Sequence, residues 1–85
     1  MTSEQILQQA AAIIAERGAA YGDAAESMST VAARWSITLG NTVTPAQVVL
    51  CLIDLKLTRL AHDTRHKDSV VDVIGYTALL PEVTR

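Results

Sequence analysis

The stretch TPAQVVLCLIDLKLTRLAH, residues 44–62, decides the fold. Thr44 and Gln47 have the spacing of a capping box, and Pro45 suits the first helical position, where its fixed φ helps and its missing N–H costs nothing, so a helix starts here. Val48, Val49, Leu50, Cys51, Leu52, Ile53, Leu55, Leu57, Leu60 and Ala61 then leave almost no polar face, which predicts a helix buried on most sides and a Cys51 packed as a small core hydrophobe. The run is too short and too interrupted by charge to cross a bilayer. Asp54, Lys56, Thr58 and Arg59 lie inside it, and each needs a partner, a rim position or a ligand, because an unpaired buried charge is expensive.

Working outward, the rest of the chain supplies three more helices. Towards the N-terminus, Asp23 opens a helix over 24–39 that carries Met28, Val31, Ala32, Trp35 and Leu39 and stops at Gly40, with Trp35 the expected aromatic anchor of the core. Before it, Thr2 and Gln5 open a helix over 3–17, with a stripe of Ile6, Leu7, Ala10, Ile13 and Ile14, ending at Arg17 and Gly18. Its Gln5, Gln8, Gln9, Glu16 and Arg17 read as a solvated face. Towards the C-terminus, the charged link from Asp63 to Lys67 leads into a last helix over 69–80, capped by Asp68 or Ser69 and discouraged from continuing by Pro81. The reading is all-α: one compact four-helix domain spanning residues 1–85.

Composition bounds the function. A chain of 85 residues buries only roughly 60–65% of its unfolded surface, so the core is thin, and apolar residues on more than one face of two helices predict a homo-oligomer, a dimer or a larger ring. Hydrophobic residues make up 49% and aromatics 4%, without a single Phe, which suits closely packed Ala, Val, Leu and Ile helices. A net charge of −2 and no Lys/Arg block argue against duplex nucleic acid as a partner. No stretch predicts a membrane span. A lone Cys and an N-terminus without a basic region suit a reducing cytoplasm.

The chemistry-bearing residues fall into three clusters. Tyr21, Gly22 and Asp23 form a short link in which a glycine allows the backbone to approach a ligand closely. Lys56 and Arg59 are three apart on the central helix, placed either for an ion-pair network or for phosphate oxygens. Asp68 and Asp72 are four apart, the spacing at which two carboxylates share one face and can meet Mg²⁺ or Mn²⁺; the other reading has Asp68 in the helix cap and Asp72 either favouring the positive first turn of that helix or paired with Arg59. Asp54 and Thr58 suit a helix-to-helix hydrogen bond. His62 and His66 flank the charged link, without enough converging N and S ligands for zinc.

Together Ala20-Tyr21-Gly22-Asp23, then Leu55-Lys56-Leu57-Thr58-Arg59-Leu60, then His66-Lys67-Asp68-Ser69 running on through Val70, Val71, Asp72, Val73, Ile74, Gly75 and Tyr76, resemble a family of small phage and prophage proteins. That family is similar to the "nucleotide modification associated" phage domains and, more remotely, to the all-α NTP pyrophosphatases of the MazG type. The resemblance spans nearly the whole chain and implies a phage protein in the host cytoplasm that takes a small-molecule nucleotide. It implies further that Asp68 and Asp72 hold Mg²⁺ or Mn²⁺, that Lys56 and Arg59 contact phosphate, and that Tyr21, Gly22 and Asp23 lie at the nucleotide end. The MazG-type reaction would be hydrolysis of a nucleoside triphosphate to monophosphate and pyrophosphate. MazG-type enzymes carry ExxE facing ExxD, whereas the nearest matches here are Asp23-x-x-Glu26 and Asp68-x-x-x-Asp72. The alternative is a non-catalytic oligomeric module that binds a host or phage protein through its apolar faces.

Overall fold

The computed structural model describes residues 1–84 and contains four helices among them: α1 (Ser3–Tyr21), α2 (Ala24–Leu39), α3 (Pro45–His62) and α4 (Lys67–Val83). Two capping boxes form as the sequence requires. Gln5 N–H donates to the Thr2 hydroxyl while Thr2 N–H donates to Gln5 Oε1, and Thr44 and Gln47 repeat the arrangement at the start of α3. Asp23 caps α2 by accepting from Ala25 N–H at 2.9 Å, and Gly40 ends it in the left-handed region at φ 72°.

Three boundaries differ from expectation. α1 runs through Gly18 to Tyr21: Ala19 and Ala20 are strong helix formers, and the stop is Gly22, whose φ of 83° and ψ of −156° are open essentially to glycine alone. α4 passes Pro81 and ends at Val83, because a proline so near the end removes one hydrogen bond while Thr84 N–H still donates to the Leu80 carbonyl.

The third difference is the cap of α4, which is His66 rather than Asp68 or Ser69. His66 Nδ1 accepts from Ser69 N–H at 3.3 Å and lies 2.7 Å from the Ser69 hydroxyl, which is 1% exposed. His66→Ala removes the cap and strands that buried hydroxyl, so chemical denaturation is expected to show a loss of about 2 kcal/mol, with His66→Asn recovering most of it. Ser69→Ala should blunt the effect of His66→Ala if the two act as one unit.

α3 packs on both α2 and α4, and α1 packs chiefly on α4. The fully buried hydrophobic set is small: Ala10, Ala32, Val48, Val49 and Val71. α3 is therefore not enclosed. Val48 and Val49 are sealed, while Leu50, Leu55 and Leu57 are each about half exposed and Cys51 faces solvent, which corrects the expectation of a helix buried on most sides. Trp35 is half-buried rather than a core anchor. Thr58 donates back to the Asp54 carbonyl of its own helix at 3.0 Å, so the expected bond between helices is absent. No helix among the described residues is long and apolar enough to cross a membrane.

Candidate functional site

The 21 residues from Asp54 to Ile74 include one place where charge enters the helix packing. Asp72, on the second turn of α4, points at α3 and α1 together. Its Oδ2 lies 3.1 Å from Lys56 Nζ and its Oδ1 accepts from Arg17 at 3.3 Å. The Lys56 and Asp72 side chains are 14% and 13% exposed, so this pair is largely withdrawn from water, whereas Arg17 is half exposed. One carboxylate thus ties three helices together, and its charge is balanced by two cations.

Beside it, α1, the first turns of α2 and one face of α4 enclose a cleft of about 600 Å³, within the size range of small-molecule sites. Its interior is apolar, with Ile13, Ile14, Met28, Val71 and Leu79 on the walls. Gly75 of α4 forms part of the floor: a Cβ there would come within 3.9 Å of Ile14, an ordinary contact, so glycine is not forced by space. Polar groups cluster at Arg17, Tyr21, Asp23, Asp72, Tyr76 and Glu82.

The sequence-predicted residues divide accordingly. Tyr21, Gly22, Asp23 and Asp72 line the cleft, although they lie about 50 residues apart in the chain. Tyr21 is 80% exposed at the rim. Lys56 reaches Asp72 from α3 without lining the cleft. Arg59 and Asp68 are exposed and lie outside the cleft wall. The partner of Asp72 is thus Lys56, one turn from the Arg59 considered for it. Arg17 and Tyr76 complete the site. Arg17 reads as surface in the sequence, because only the antiparallel packing of α1 on α4 brings it to a carboxylate 55 residues away. Tyr76 carries a signal of its own, lying one helical turn beyond Asp72.

A resident Mg²⁺ or Mn²⁺ needs several converging oxygens. Among the described residues no three His, Cys, Asp or Glu side chains converge, and both Asp72 oxygens are committed to cations. One copy of the chain therefore presents no preassembled metal centre at Asp68 and Asp72.

Residues 5–84 match a family model described as "Domain of unknown function (DUF6378)". The chain belongs to the DUF6378 family. This DUF6378 chain is similar to the Gene 55 protein of Mycobacterium phage L5, at 36% identity over 83 residues, 96% of this chain and 49% of that protein. It thus spans about half the length of the curated relative it matches, a protein of a phage, as the sequence resemblance implied. No solved structure matches it.

Proposed function

We propose that this DUF6378 chain is a phage-type nucleotide-binding protein whose site is the cleft between α1, α2 and α4. One observation carries the reading: Tyr21, Gly22 and Asp23 share a single cleft with Asp72, and Asp72 is in turn held by Lys56. The base and sugar have an apolar interior flanked by the rings of Tyr21 and Tyr76, where stacking is favourable whatever the base. The phosphates have Arg17, which lines the cleft, while Lys56 holds Asp72 from outside it. Phosphate oxygens compete with Asp72 for the planar fork of Arg17, and Lys56 keeps the carboxylate neutralised as a point charge behind it.

A divalent ion enters this reading only as one carried in on the phosphates, with Asp72, the one of the Asp68 and Asp72 pair that lines the cleft, as its protein-side carboxylate. Pyrophosphohydrolysis of the MazG kind is the finer step beyond binding. It requires an activated water, for which a second copy would have to add further carboxylates.

The test is thermal unfolding against ribo- and deoxynucleotides, each with and without Mg²⁺ or Mn²⁺. A nucleotide at 100 times its Kd stabilises by about 2.7 kcal/mol whether or not it is turned over. Tyr21→Ala, at an exposed rim position, is expected to remove most of that shift while leaving the unliganded melting temperature nearly unchanged; Arg17→Met should remove it too, with some loss of unliganded stability because it also unties α1 from Asp72. Absence of a shift with every nucleotide and metal would overturn the proposal.

A second reading rests on a separate observation, the apolar outer face of α3 at Leu50, Leu55 and Leu57. It makes the chain an oligomeric module binding its own copies or a host or phage protein. Light scattering that returns a monomer mass at micromolar concentration would remove the homo-oligomer.

A further inference from the structure

We propose that α1 is a hinged wall of the cleft, swinging about Gly22 to admit a ligand and held shut by Arg17 on Asp72. The inference concerns access to the site proposed above, but it stands on the arm's own attachments. α1 precedes the other helices and is joined to them by one linkage, Gly22-Asp23, and Gly22 occupies a backbone region that other residues avoid. Its substantial packing is on α4, whereas α3 is clasped by both α2 and α4.

The seat of α1 is also shallow. Of its 19 residues only Ala10 is fully buried, while Leu7 and Ile14 remain 55% and 39% exposed. Gln9, expected on the solvated face, has its Oε1 turned in against the packing, so the underside of α1 is not wholly apolar. The polar tie between side chains of α1 and α4 is the 3.3 Å contact of Arg17 with Asp72, and Arg17 is half exposed. The molecule as a whole is elongated: its radius of gyration is 13.6 Å, against about 12 Å for a compact chain of this length, and its longest extent is 42 Å.

The cleft is the space where α1 and α2, neighbours in sequence, fail to pack on one another. A ligand seated there touches Ile13, Ile14 and Tyr21 on one side and Ser27 and Met28 on the other, so it supplies the missing contact and closes the arm. An anionic group that captures Arg17 does the reverse at the latch. Entry and closure are thereby coupled through a single guanidinium.

The experiment measures distances between spin labels in a Cys51→Ser background. One label at Ala11→Cys and one at Ser29→Cys report α1 against α2; Ser29→Cys with Thr58→Cys reports α2 against α3 as the control. All three positions are exposed. The arm pair is expected to give a distribution about twice as broad as the control, shifted to longer distance by Arg17→Met. A distribution as narrow as the control, unmoved by Arg17→Met, would overturn the hinge. Because this readout needs no ligand, it is independent of the nucleotide assignment. A broad arm distribution that ignores every nucleotide would leave the hinge standing and count against the nucleotide reading, whereas narrowing by one nucleotide class supports both.

Discussion

Asp72→Ala is expected to destabilise the folded chain by about 2–4 kcal/mol in urea or guanidinium unfolding, more than any other removal of a single charged side chain. The physical reason is what remains. Lys56 is 14% exposed in its side chain and lies between α3 and α4, so deleting its counter-ion leaves an ammonium that must either stay nearly dry or pull the helices apart to reach water. The reciprocal change is milder, since Lys56→Met leaves Asp72 paired with Arg17, which already reaches solvent. Replacing both partners, Lys56→Met with Asp72→Leu, should recover most of the loss, because an apolar pair of similar volume has no desolvation to offset. If Asp72→Ala unfolds within about 0.5 kcal/mol of the unaltered chain, the pair is a surface feature and the account of the site fails. It follows that Asp72→Asn is a poor probe of ligand binding, since it disturbs folding as well; Tyr21→Ala, at an exposed rim position, separates the two.

The second large effect is expected from the core of α3. Val48 and Val49 are both 0% exposed and stand about 100° apart around the helix, which is how one helix seals contacts on two sides. Each Val→Ala change should cost about 2 kcal/mol, and the two together about 4 or more, since neighbouring cavities cannot both be closed by relaxation. A chain of 85 residues has only about 4–13 kcal/mol in total, so the double variant stands near the threshold of unfolding. Leu50→Ala and Leu57→Ala, larger deletions at half-exposed positions, should each cost under about 1 kcal/mol in the monomer. Circular dichroism melts of the four variants decide the matter. Equal losses at Val48 and Leu57 would mean that the outer face is covered by another copy.

The extent of sequence legibility follows from the range of the forces concerned. The starts of α1 and α3 were readable because a capping box is closed within four residues, Thr2 with Gln5 and Thr44 with Gln47. The start of α4 is not legible in the sequence because His66 takes the capping role usually filled by Asp or Ser, and a histidine in a charged link resembles surface decoration. The burial of α3 was overestimated for a different reason. A helix apolar all round is enclosed only if enough partners exist, and here α1 packs chiefly elsewhere. Of the candidate site, the Tyr21-Gly22-Asp23 turn and Asp72 were legible as chemistry from residue type and spacing. That Lys56, not Arg59, meets Asp72 depends on the rotation of α3 against α4, and the part of Arg17 depends on a contact 55 residues long. Neither leaves a mark on local sequence.

The buried set of Ala, Val and Ser has one further consequence, for calorimetry. Unfolding a core so poor in large side chains absorbs a modest enthalpy over a broad temperature range. In domains of this size about 1 kcal/mol of added stability moves the midpoint by 4–8 °C, roughly twice the displacement seen in proteins of double the length. A thin interior therefore makes the chain a sensitive thermometer of its own occupancy: even a weak, millimolar ligand should register as a displacement of several degrees.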